Sequence, residues 1–115
     1  MHELSIAMSI LDIAEEEAHR QGNAQVTAIH LKLGPLSGVV KEALLASFEM
    51  AREGTDLENC RLVILEMPII VYCPKCESER SVASMQLLCC PNCATPTPDI
   101  RKGRELEVSA LELCQ

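Results

Sequence analysis

Two copies of one short pattern, Cys-Pro-Lys-Cys at 73–76 and Cys-Pro-Asn-Cys at 90–93, constrain this chain more than any other feature. Each pair fits a tight turn that aims two sulfurs at one centre. Two such turns complete a tetrahedron of thiolates, the geometry of structural zinc, with Zn–S of about 2.3 Å. Four buried thiols without a metal would leave the duplication unexplained. The spacing Cys-x2-Cys-x13-Cys-x2-Cys therefore points to Cys73, Cys76, Cys90 and Cys93 as zinc ligands. A rubredoxin-like iron site would use the same four. Cys89 adjoins the second turn, but only Cys90 gives Cys-Pro-x-Cys, which leaves Cys89 as a spare thiol or an exchange ligand. Four protein ligands leave no open coordination position, so the site is structural or regulatory rather than hydrolytic. Neither turn opens a helix in a βαβ setting, which argues against a thioredoxin-like redox role. Cys60 and Cys114 stand alone, as small core or surface residues.

Such a staple matters in a chain of 115 residues, expected to form one small domain with room for a sub-domain. With one Phe, one Tyr and no Trp, aliphatic side chains and Met must fill the core. Seven cysteines without a secretion signal point to a reducing compartment, where thiols hold metals more often than disulfides. The N-terminus lacks the basic residues followed by an apolar core of a signal peptide. No apolar run reaches the roughly 18 residues that span a bilayer. The expectation is a cytoplasmic protein with no membrane role. Ten basic against seventeen acidic residues, a net charge of -7, disfavour nucleic acid, whose affinity rests on Lys and Arg neutralising phosphates. The same balance suits a protein that handles cations or docks on a basic partner.

The apolar pattern predicts an α+β fold. Residues 4–20 read as an amphipathic helix, with Leu4, Ile6, Ala7, Ile10, Leu11, Ile13, Ala14 and Ala18 on one arc at about 100° per residue. Gly22-Asn23 stops it. Gln25–Leu33 alternates as a half-buried strand, with Ile29, Leu31 and Leu33 inward. Gly34, Pro35 and Gly38 supply turn geometry, and Ser37 is a candidate cap for a second helix over 40–53. Leu44, Phe48 and Ala51 form that helix's inner stripe, and Gly54 closes it. Strands follow at "CRLVILEM" and "RELEVSALEL", the latter with Leu106 and Val108 inward and a slip of phase near Ala110-Leu111. Two helices packed on a small three-stranded sheet, with an inserted four-cysteine, zinc-ribbon-like module, account for this order. The domain reading is residues 1–68 with 99–115 as the α+β domain and 69–98 as the inserted module.

The chain starts Met-His-Glu. Histidine is too bulky a second residue for Met aminopeptidases, so Met1 is expected to remain. The Met1 amine, the His2 amide and the His2 imidazole then form adjacent five- and six-membered chelate rings. Such an in-plane nitrogen set suits Ni(II) or Cu(II). The positive end of the first helix opposes a cation here. Amide deprotonation and the Glu3 carboxylate offset that repulsion, although Glu3 is also a good helix-start residue by itself. His19 and His30 read as surface residues, and Asp12, Glu15, Glu16 and Glu17 as a solvated face. No Ser/His/Asp order, phosphate loop or catalytic carboxylate pair stands out, so no enzyme is expected.

In combination, "MHELSIAMSIL", "GPLSGVV" and two Cys-Pro-x-Cys turns before a last strand resemble the HypA/HybF family of nickel metallochaperones, over essentially the full length. The resemblance implies delivery of Ni(II) during maturation of [NiFe]-hydrogenase, and in some organisms urease. It implies nickel at Met1, through its amine, with His2 as main ligand and Glu3 as an auxiliary one. Structural zinc falls on Cys73, Cys76, Cys90 and Cys93. Implied partners are a nickel-binding maturation GTPase and the hydrogenase large subunit, with the chain a monomer or homodimer. One departure stands out: family members often carry Gly after the second cysteine of each turn, where this chain has Glu77 and Ala94. Gly permits positive φ there, so the turn geometry is in question. The competing reading is a zinc-ribbon protein-interaction module with no nickel role.

Overall fold

The structure, a computed structural model, describes residues 2–114. It comprises α1 (Glu3–Arg20), β1 (Gln25–Leu33), α2 (Lys41–Ala51), β2 (Arg61–Glu66), β3 (Ile69–Cys73), β4 (Ser78–Val82), β5 (Ile100–Lys102) and β6 (Leu106–Cys114). Two helices and two small sheets make the expected α+β fold. The chain divides into two compact units. One holds Met1–Lys32, Val39–Leu65 and Glu107–Gln115, and the other Leu33–Gly38 and Glu66–Leu106.

In the first unit the strand order is β2-β1-β6 and α1 packs against α2. The α1 arc buries Ala7, Ile10, Leu11 and Ala14, while Leu4 and Ile13, expected on the same arc, are about half exposed. Eight apolar positions make a wider stripe than one contact line can cover, and its edges stay wet. Strand β1 buries Val26, Ala28, Ile29 and Leu31. The chain's single Phe, Phe48, lies with Leu44 on the inner face of α2 at 2% exposure, a burial that contributes about 2–3 kcal/mol. The phase of β6 slips as expected, partial burial passing from Leu106 and Val108 to Leu111.

The cap of α2 differs from expectation. The N-cap residue is Val40, with no side-chain cap of its own, and not Ser37. A capping oxygen must stand one residue before the helix. Ser37 lies three residues earlier, its N–H given to the Gly34 carbonyl at 3.1 Å. The Val40 N–H instead reaches the Glu3 carboxylate at 3.4 Å.

The second unit contains a sheet the sequence did not announce, in the order β4-β3-β5 and antiparallel throughout. Its core is Ile69, Val71 and Val82, with Leu36, Leu88 and Ile100 packed against it. This unit takes in the expected 69–98 module and extends beyond it. β5 completes the sheet around β3, and the 33–38 segment is tied in by Gly34 N–H to the Glu105 carbonyl (2.8 Å) and Leu36 N–H to the Gly103 carbonyl (2.7 Å). Gly34 is required by that closeness: a Cβ there would lie 2.1 Å from the Gly103 carbonyl oxygen. Among the described residues no helix is long and apolar enough to cross a membrane.

Candidate metal centre

The first cysteine turn joins β3 to β4. Cys73 ends β3, and the Cys76 N–H points back at its sulfur at 3.3 Å. The second turn sits on a short hairpin. Thr97 N–H donates to the Leu88 carbonyl (2.9 Å), Cys89 bridges Pro96, and Cys90 N–H donates to the Thr95 carbonyl (2.9 Å). The Ala94 N–H closes the turn on the Cys90 carbonyl at 2.8 Å. Glu77 and Ala94, which stand where family members often have glycine, both adopt positive φ, 51° and 61°. The glycine-type backbone is therefore kept without glycine, at about 1–2 kcal/mol of steric cost per residue.

These turns bring the sulfurs of Cys73, Cys76, Cys90 and Cys93 within 4.8 Å of one another. Measured pairs are Cys73–Cys93 at 3.5 Å, Cys76–Cys93 at 3.6 Å and Cys76–Cys90 at 3.9 Å. A tetrahedron with Zn–S of about 2.3 Å needs S···S of about 3.8 Å, so the donor set fits a zinc ion as it stands. Cys73 and Cys90 are buried and Cys76 and Cys93 half-buried. Cys89 lies outside the group, held in the hairpin bridge. Among the described residues no other set of three or more His, Cys, Asp or Glu side chains converges in this way.

The sulfurs are not equivalent. The Thr95 hydroxyl and N–H point at Cys93 and hold its thiol down at about 6. Cys73 accepts the Cys76 N–H, but burial and its sulfur neighbours push it up to about 11. Cys90, against the effect of its burial, lies below the ordinary thiol value because the Cys93 and Asn92 N–H groups face it. Packed this closely, four thiolates repel one another, and a divalent cation relieves that repulsion as the protons leave. Thr95, Asn92 and Arg80 around this cluster were not found from sequence. Thr95 and Asn92 carried the signal of standing within or next to the second turn.

The N-terminal candidates are placed differently. His2 is the exposed N-cap residue of α1, with extended backbone (φ -86°, ψ 100°), and its carbonyl accepts the Ile6 N–H at 3.2 Å. Glu3 occupies the first turn and directs its carboxylate to Val40. Met1 lies outside the described residues. His19 bonds Asn23 (2.8 Å), and His30 bonds Glu112 (3.0 Å), which also pairs with Arg61. Cys60 is buried, its thiol pushed up by that burial, and Cys114 is exposed.

Fold and site define a small α+β protein with a paired-turn, four-cysteine centre and an exposed histidine at the head of its first helix. The family model described as "Hydrogenase/urease nickel incorporation, metallochaperone, hypA" matches residues 1–113. The hydrogenase maturation factor HypA of Roseiflexus sp. (strain RS-1) is 48% identical over 112 residues, covering 97% of this chain and 91% of that protein. That of Chloroflexus aggregans is 46% identical, covering 97% and 98%. The fold is similar to the solution structure of the Ni metallochaperone HypA from Helicobacter pylori, with a TM-score of 0.65, 23% identity and 98% and 97% coverage. It is similar also to a second HypA solution structure, at a TM-score of 0.72, 23% identity and 99% and 97% coverage. The chain belongs to the HypA family.

Proposed function

We propose that this chain binds Ni(II) through the Met1 amine, the amide and imidazole of His2 and, as an auxiliary ligand, Glu3, and delivers it for maturation of [NiFe]-hydrogenase or urease. The observation that carries this reading is the match to a nickel-incorporation family over residues 1–113, which includes His2 and Glu3. The exposure of His2 and its extended backbone support it, since an N-cap imidazole that makes no capping hydrogen bond is free to turn toward an ion. The Glu3 carboxylate supplies negative charge at the positive end of α1, where a cation would otherwise be repelled.

Few ligands at an exposed terminus hold nickel loosely enough for exchange onto a partner's donors. Acidification protonates the nitrogens and releases the metal. Cu(II) binds such a set more tightly than Ni(II), so selectivity comes from availability and from partners. The partners are a nickel-binding maturation GTPase and the hydrogenase large subunit, and the setting is the cytoplasm.

Zinc at Cys73, Cys76, Cys90 and Cys93 would tie the two cysteine turns together, with no position left open for a substrate. Thr95, Asn92 and the turn amides orient the sulfurs. The test is transfer. Nickel-loaded chain incubated with the nickel-free large-subunit precursor should pass on its metal, and the His2→Ala chain should not. Equal transfer by both would show that His2 does not hold the nickel, and no transfer by either would favour an interaction module without a nickel role.

A further inference from the structure

The register of the second sheet sets Val71 opposite Arg80 and Cys73 opposite Ser78. Directly opposed residues share a face, so Arg80 projects on the side that buries Ile69, Val71 and Cys73. A cation on that face needs an anion. The Arg80 Nε is buried and has no hydrogen-bond partner in the protein. The guanidinium stands against the sulfurs of Cys76 and Cys90. Four thiolates around one divalent ion leave surplus negative charge in a partly dry site, where an unscreened charge is costly. Other neighbours are otherwise engaged. Lys75 is exposed within the first turn, Asn92 reaches Cys76 at 3.7 Å as a neutral donor, and Arg101 is taken up by Asp99, Glu79 and the Tyr72 ring.

We propose that Arg80 is the positioning cation of the four-cysteine centre, its guanidinium holding the Cys76 and Cys90 thiolates in place and offsetting the centre's surplus charge when the metal is bound. This rests on the zinc reading above. A cation beside a thiolate lowers the energy of its lone pairs, so it leaves a spectroscopic mark as well as an effect on affinity. Partners of this kind typically change metal affinity by about 10–100-fold.

The test uses the full chain loaded with Zn(II) or Co(II), as wild type, Arg80→Gln, Arg80→Lys and Arg101→Gln. Zinc affinity is read by competition with a chromogenic chelator, and the sulfur-to-Co(II) charge-transfer band by absorption. Arg80→Gln should lose about tenfold or more in zinc affinity and move the band to longer wavelength. Arg80→Lys should recover part of both, and Arg101→Gln should match wild type. Wild-type affinity and an unmoved band in Arg80→Gln would overturn the proposal. If Arg80→Gln does not fold, the Lys variant decides. A near-wild-type band and affinity support the charge role, and loss of both despite the retained charge refutes it. Failure of the zinc reading itself looks different, because wild type would then bind neither ion.

Discussion

Glu77 and Ala94 hold the same left-handed backbone at the same place in two separate turns, with φ of 51° and 61°. Each follows the second cysteine of its turn, where the chain must reverse so that both sulfurs face one point. Both side chains are exposed, so neither contributes packing that would explain its presence.

Replacement of either by glycine should therefore stabilise the protein. Relief of about 1–2 kcal/mol of αL strain is partly offset by the roughly 0.5–1 kcal/mol of chain entropy that glycine adds to the unfolded state. A net gain of about 0.5–1 kcal/mol is expected for Glu77→Gly and for Ala94→Gly. Ala94→Val should move the other way. Denaturant midpoints of the zinc-loaded variants decide this, and a glycine variant less stable than wild type would contradict it.

Gly34 and Gly38 bracket one turn and should respond unequally. A Cβ at Gly34 collides with the Gly103 backbone at 2.1 Å, whereas one at Gly38 meets nothing within 4 Å and suffers only its φ of 81°. Gly34→Ala should cost about 3 kcal/mol or more and Gly38→Ala about 1 kcal/mol. Thermal unfolding of both variants checks the order. Equal losses would mean that the approach of residues 34 and 103 is not the constraint.

Removal of the metal should act unevenly. Among the described residues the second unit's hydrophobic cluster is small, Ile69, Val71 and Val82 with Leu36, Leu88 and Ile100 packed against them, too little to hold its two hairpins without a metal on the four cysteines. After chelation, amides of 69–106 should lose protection from hydrogen exchange while those of α1 keep theirs. Cys73→Ser should reproduce this and Cys89→Ser should not. Unchanged protection of 69–106 in demonstrably zinc-free protein would contradict the account.

Cys60 makes a pH prediction. Burial raises its thiol pKa, and Arg52 and Arg61 only partly oppose that. A raised folded value means that the folded state binds the proton more tightly. The stabilisation is complete below the ordinary thiol value of about 8.5 and is lost as pH rises through the folded value. Cys60→Ala should accordingly flatten the alkaline fall in stability. Parallel curves for wild type and variant between about pH 8 and about pH 10, the range around the reference thiol value, would rule it out.

The first unit was largely legible in the sequence. In α1, β1 and β6 the apolar period is long enough to show both element and face, and even the slip near Leu111 registers. The second unit was hidden because its strands are short and its pattern is one-sided. In β4, Ser78, Arg80 and Val82 share the inward face, so two of three inward positions are polar. The choice of Cys90 over Cys89 followed from the repeat, and the structure gathers Cys90 with the other three sulfurs. Nothing local could reveal that Glu3 meets Val40, or that Arg80 lies by two cysteines, since both depend on tertiary pairing.

The most direct measurement is a nickel titration of zinc-loaded protein with its native N-terminus, beside His2→Ala and a version carrying two extra residues before Met1. The account predicts one Ni(II) per chain for wild type, and loss of nickel with retention of zinc in both variants. Equal nickel binding by all three would show that Met-His-Glu is only the start of a helix, and would contradict the proposed mechanism of delivery.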